Sequence, residues 1–209
     1  MDKIFAIGDI HGCFSHLNNL LNRFKLGQND TLLFLGDYID RGPDSYEVVE
    51  TILRLRSKLA KVICLKGNHE QMYIDYLQGK DQDFFLSNGG NYTLRSYKKN
   101  GWKYPPPEHM EFFLSLDLYY ETEDCIFVHA GLRPNVPFQD QNPEDMLWIR
   151  SSFHSSPNTW NKTIVFGHTP FPEPYMKEGK IGIDTGACIG GLLTCVELPG
   201  TILHQATGQ

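Results

Sequence analysis

With 209 residues, 41% apolar and 21% charged, the chain has the length and balance of a single globular domain with a sizeable core. A formal charge of -6 without any basic stripe argues against a nucleic-acid partner, and no apolar run approaches the length needed to cross a bilayer. The five cysteines are odd in number and form no C-x-x-C pair, which argues against a disulfide framework or a cysteine zinc knuckle.

The first residues lack the basic start and apolar centre of a signal peptide, so a cytoplasmic, soluble protein is expected. Residues 3–8 instead read as a buried strand. Phe14, Leu17, Leu20, Leu21 and Phe24 then recur at helical spacing. A second apolar strand spans 31–36. Pro43, favoured in a first turn, starts a predicted helix with Val49, Ile52, Leu53 and Leu59 inward. A third strand covers 61–67 and leads into a helical stretch from about 70 to 77. This alternation implies parallel strands with right-handed crossovers. Residues 80–117 break the pattern with Gly89-Gly90 and Pro105-Pro106-Pro107, and read as an inserted, mainly helical cap. Short strands follow at 118–121, 125–129, 163–167, 180–184 and 192–198. Cys64 and Cys125 lie in apolar runs and read as small core residues.

What ends each strand carries the chemistry. The first ends in Gly8-Asp9-Ile10-His11-Gly12 and the second in Gly36-Asp37-Tyr38-Ile39-Asp40-Arg41-Gly42. The third ends in Gly67-Asn68-His69-Glu70, and two later strands end in His129-Ala130-Gly131 and Gly167-His168-Thr169-Pro170. Ligands gather at the carboxyl ends of strands in α/β sheets. Asp, His and Asn together suit manganese, iron or zinc better than calcium or a soft-metal site, and there are donors enough for two ions. Taken singly, Asn68 is a plausible helix cap, His129 or His168 a satisfied buried histidine, and Arg41 a surface ion-pair partner. Their joint occurrence in order at strand ends points to a metal site.

The series GDIHG, GDYIDRG, GNHE, HAG and GHTP resembles the phosphoprotein phosphatase family of metallophosphoesterases. SNGG at 87–90, LWIR at 147–150 and IDTGA at 183–187 are similar to its small bacterial and phage branch. The resemblance implies an α/β, calcineurin-like β-sandwich flanked by helices. It also implies two divalent metal ions, manganese first, with iron or zinc as alternatives. Asp9 and His11 would bind the first metal, Asp37 would bridge both, and Asn68, His129 and His168 would complete the second. His69 would be the general acid, oriented by Asp40, while Arg41 and Arg150 hold phosphate oxygens. Arg150 retains the competing reading of a surface arginine at a helix end. HAG departs from the HGG of the eukaryotic catalytic subunits, and their extra regulatory length is missing, so no regulatory subunit is carried over.

The expected activity is serine/threonine, and also tyrosine, protein phosphatase chemistry, with a metal-bridging hydroxide in direct in-line attack. Arginines and metals offset the phosphoryl charge. No cysteine is followed six positions later by arginine, and no P-loop is present. Two other readings compete. One is a nucleotide hydrolase such as the symmetrical diadenosine tetraphosphatases, in which Tyr92, Tyr97, Trp102 and Tyr104 of the cap could stack on a base. The other is an inactive phosphate-binding module, against which the complete set of ligand and acid positions speaks.

Overall fold

The computed structural model describes residues 2–209. Two five-stranded sheets face each other. The first has the order β10-β9-β1-β2-β3 and the second β4-β5-β6-β8-β7. Strands β1 (Ile4–Ile7), β2 (Thr31–Phe34) and β3 (Val62–Cys64) are parallel, as the alternating pattern requires. β9 (Leu193–Leu198) joins β1 antiparallel and β10 (Ile202–Ala206) closes that edge. In the second sheet β5 (Cys125–Val128), β6 (Thr163–Phe166) and β8 (Lys180–Gly182) are parallel. The antiparallel strands β4 (Tyr119–Glu121) and β7 (Tyr175–Lys177) form its edges.

Three apolar layers hold this arrangement. Ala6, Leu33, Leu35 and Leu65 meet Phe127, Val165, Ile181 and Ile183 between the sheets. Phe5, Ile7, Leu32 and Phe34 point the other way, into α1 (Phe14–Leu21), α2 (Ser45–Lys58) and α3 (Asn68–Leu77). Outside the second sheet, Ile126, Ile164 and Phe166 pack on α7 (Pro143–Trp148) and α8 (Ser151–His154). The central strands are buried on both faces, which is why they read as continuous apolar runs rather than alternating ones. Cys64 and Cys125 are buried, as expected of small core residues.

Several boundaries differ from the sequence reading. α2 starts at Ser45, because Asp40 and Arg41 have left-handed backbone and Asp44 N donates to Gly12 O. Leu59 lies past its end, partly buried against the core. α3 starts at Asn68, two residues early. β7 and β10 have no counterpart in the sequence reading, and α7 and α8 only the helix end offered as the competing reading of Arg150. β7 and β10 are edge strands with exposed residues, so their signal is weak.

Between α3 and β4 lie α4 (Gln82–Phe85), a kinked turn at Leu86–Gly90, α5 (Asn91–Lys99) and α6 (Pro107–Leu114). A buried polar chain ties this segment down. His109 Nδ1 meets Tyr97 Oη at 2.8 Å and its Nε2 meets Glu50 of α2 at 2.8 Å. Tyr97 is therefore packing and not a free stacking surface. Among the described residues no helix is long and apolar enough to cross a membrane.

The inter-sheet layer yields a stability prediction. Leu33 is fully buried between the sheets. Leu33→Ala is expected to lower the unfolding free energy by about 2–5 kcal/mol, read by urea denaturation. A loss under ~1 kcal/mol would mean that the sheets close over the space.

Candidate metal centre

The carboxyl ends of β1, β2, β3, β5 and β6 converge, and the residues that follow them meet there. The turns after β1 and β2 are laced together. Ile10 N and His11 N both donate to Asp37 O, and Gly12 N donates to Tyr38 O. His11, Asp37, Asp40, Arg41 and His168 all have positive φ, from 47° to 70°. Such backbone in residues other than glycine is uncommon and is found where a surrounding structure enforces it.

Asp37 stands at the centre. Its Oδ2 is 3.4 Å from His11 Nε2 and 4.0 Å from His69 Nε2, and its Oδ1 is 3.4 Å from His129 Nε2. Two donor groups share it: His11, Asp37 and His69 on one side, and Asp37, His129 and His168 on the other, with the donor atoms of each within 4.8 Å of one another. Asn68 joins the second group, its Oδ1 lying 2.9 Å from both His129 Nε2 and His168 Nδ1. Asp9 joins neither. Its carboxylate accepts the His168 backbone N–H at 2.9 Å and 3.1 Å. The first group thus brings together His11 and Asp37 of the predicted set, with His69 beside them.

His69 Nδ1 donates to Asp40 Oδ2 at 2.6 Å, so its other nitrogen is free. That Nε2 is buried without a hydrogen-bond partner, and so is His168 Nε2. Arg41 Nη1 reaches His11 Nε2 at 2.9 Å. Arg150 is exposed and donates to Thr169 Oγ1 at 3.4 Å, one residue beyond His168. Both predicted arginines therefore sit at the mouth of the cluster. Trp148 places its ring 6.1 Å from His168 with Phe84 beyond it, an aromatic flank the sequence reading did not select.

The electrostatics agree with a cation-binding cluster. Burial lowers the pKa of His11 to about 3 and of His168 to about 2, and lowers His129, against the opposing pull of Asp37 on each ring; burial thus favours the uncharged imidazole, the form that ligates metals. Burial pushes Asp9 well above the usual carboxylate range, aided by Asp184 and Asp37. Burial likewise raises Asp184 to about 6. Burial also works against the Asp37 charge, but the surrounding histidines, His129 first, hold that carboxyl well below its ordinary value. Burial opposes the His69 cation too, yet Asp37 and the bond to Asp40 outweigh it and raise its pKa. Buried carboxylates, neutral imidazoles and ring nitrogens without partners form a donor set that fits divalent cations.

Glu70, the last residue of the GNHE motif, has a structural task. Its Oε2 accepts Asp37 N and Gly67 N, and its Oε1 accepts Tyr38 N, each at 2.9 Å. Gly67 is needed beside it, since a Cβ there would run into the Asp37 carboxylate.

The profile of the calcineurin-like phosphoesterases matches residues 2–187, and the chain belongs to that family. It is a metallophosphoesterase, a hydrolase of phosphate esters, and its motifs place it with the phosphoprotein phosphatases. The chain is 30% identical to bis(5'-nucleosyl)-tetraphosphatase PrpE [asymmetrical] of Oceanobacillus iheyensis, over 94% of this chain and 89% of that one. It is 29% identical to serine/threonine-protein phosphatase 1 of Salmonella typhimurium, over 93% and 91%. A solved structure assigned provisionally as a diadenosine tetraphosphatase superposes with a TM-score of 0.77 at 23% identity, covering 100% of this chain and 94% of that one. The cold-active protein-tyrosine phosphatase of a Shewanella species gives 0.66 at 16%, covering 100% and 78%. These last two likenesses concern the fold.

Glu70→Gln replaces one accepting oxygen with a donor and leaves at least one buried N–H unmatched. It is expected to destabilise the metal-stripped protein by about 1.5–3 kcal/mol in urea denaturation. An unchanged midpoint would show that the Asp37 turn holds itself.

Proposed function

We propose that this chain is a metal-dependent phosphomonoesterase acting on phosphoserine and phosphothreonine in proteins, with tyrosine phosphate as a further substrate. Asp9, His11, Asp37, Asn68, His129 and His168 would hold two divalent cations, manganese first, with Asp37 shared between them. The cations supply Lewis acidity and positive charge at the phosphoryl group. Arg41 and Arg150 at the mouth bind its outer oxygens and fix its orientation. His69 Nε2 gives its proton to the leaving oxygen while Nδ1 stays bonded to Asp40, which stabilises the protonated ring beforehand. Residues 80–117 form the cap beside this mouth and select what carries the phosphate.

The observation that carries this reading is the His69–Asp40 pair, with the second imidazole nitrogen free and buried beside Asp37. An alkyl alcohol such as serine leaves poorly without a proton. A nucleotide leaving through a phosphate oxygen is a much better leaving group and needs that proton far less. A second reading, a bis(5'-nucleosyl)-tetraphosphatase, draws on the names of relatives that match at 30% identity. It also draws on Phe84 and Trp148, whose rings lie 5.9 Å apart beside His168 and offer a face for a base. Those relatives are of the asymmetrical kind, whereas the sequence reading raised the symmetrical one.

Side-by-side turnover discriminates the two. A phosphoserine peptide is expected to exceed diadenosine tetraphosphate in kcat/KM, and the reverse order would move the assignment to the nucleotide. Elemental analysis is expected to find two transition-metal ions per chain. Asp37→Asn should lose both and Asp9→Asn chiefly one, while full turnover by metal-stripped protein would refute the metal requirement. Arg150→Ala should cost about 2–4 kcal/mol of transition-state stabilisation, read as kcat/KM on a phosphate monoester. Unchanged kinetics would leave Arg150 a surface residue.

A further inference from the structure

The helical segment between α3 and β4 reaches into the catalytic cluster. Thr93 of α5 is fully buried. Its hydroxyl donates to Asp40 Oδ1 at 2.5 Å and accepts the Asp40 backbone N–H at 2.8 Å. Ser45 Oγ lies 3.1 Å from the same hydroxyl and backs it from α2. Asp40 therefore has its two oxygens assigned, Oδ1 to Thr93 and Oδ2 to His69 Nδ1.

From this juxtaposition we infer that Thr93 is a positioning residue for the general acid, fixing the rotation of the Asp40 carboxylate and through it the imidazole of His69. The inference rests on the acid role proposed for His69.

The argument is one of available partners. Among the described residues Oδ1 of Asp40 has no hydrogen-bond partner other than Thr93. Asp40 is wholly buried, so water does not replace a lost donor readily. Without the hydroxyl, the carboxylate is free to turn about its terminal torsion, which is a soft one. The Nδ1 bond then loses its fixed acceptor and Nε2 its fixed aim. An outer partner of this kind typically matters less than the group it orients, yet measurably. The same segment also seats Arg41. Gly89, at φ 98°, accepts the Arg41 backbone N–H at 3.3 Å, and a Cβ on it would press on the arginine side chain. The segment thus helps to build the machinery.

Three variants, Thr93→Val, Thr93→Ser and His69→Asn, would be compared on a phosphoserine peptide and on an activated aryl phosphate. Thr93→Val keeps the shape and removes the hydroxyl. It is expected to lower kcat on phosphoserine by about 10–100-fold while the aryl ester stays within a few-fold, with KM and metal content unchanged. Thr93→Ser should restore the parent ratio. In proton NMR, the downfield Nδ1–H resonance of His69 should move upfield in Thr93→Val. Equal slowing of both esters by Thr93→Val, with His69→Asn still selective, overturns the inference alone. Equal slowing by His69→Asn overturns the acid role and the inference with it. Should Thr93→Val fail to fold, Ser45→Ala carries the same comparison with a smaller selective loss expected, and equal slowing again overturns the inference.

Discussion

Asp37 is a carboxylate shut away from water among imidazoles, and nearly everything around it is arranged to keep it charged and in place. Its oxygens lie 3.4 Å from His11 and from His129. Its backbone nitrogen is held by Glu70, and its backbone oxygen accepts two amides from the turn after β1. An isolated buried carboxylate would take up a proton or draw in a cation. The surrounding imidazoles, His129 first, outweigh burial and hold its pKa low, so it stays ionised and able to bind a cation. Metal affinity, in this view, comes from a carboxylate that the fold has stripped of water and fixed.

That arrangement needs unusual backbone. Five cluster residues other than glycine have positive φ, and each such conformation costs of order 1 kcal/mol or more. The strain persists because hydrogen bonds over-determine the turns. Glu70 alone ties three amides, and Thr93 holds the Asp40 amide. The rigidity is useful. In the acid role proposed for it, His69 presents one nitrogen to a leaving oxygen, and a ring whose partner can turn would present it only part of the time.

The strand-end residues were legible in the sequence because metal donors beside glycine, after an apolar run, are a local pattern. Asp37, Asn68, His129 and His168 do come together in space, about as the order of motifs implies. Asp40 and His69 do too, 29 residues apart, through the bond that the family resemblance implied. Thr93 was not legible, since its partner lies 53 residues away and a buried threonine in a helix has no signature. Glu70 looked like any acidic residue in a first helical turn, and its three amide partners exist only once the chain has folded. Asp9 fits beside Gly167 and its carboxylate accepts the His168 amide, a contact between residues 159 positions apart that no motif carries. Of the cap aromatics, Tyr97 is core and bonded to His109 twelve positions on, while Tyr92, Trp102 and Tyr104 are exposed.

β1 has β2 on one side and β9 on the other. The first strand of the chain is thus flanked by one that lies almost two hundred residues later. During synthesis on a ribosome, β1 and β2 emerge early, but one edge of β1 stays open until β9 is free of the exit tunnel. The turn bearing Asp9 and His11 hangs from that half-paired strand. His168, whose amide Asp9 accepts, also emerges late. A nascent chain would therefore stay without a working cluster until β9 had been translated. An unfinished fragment released early would expose a bare strand edge and hydrolyse nothing.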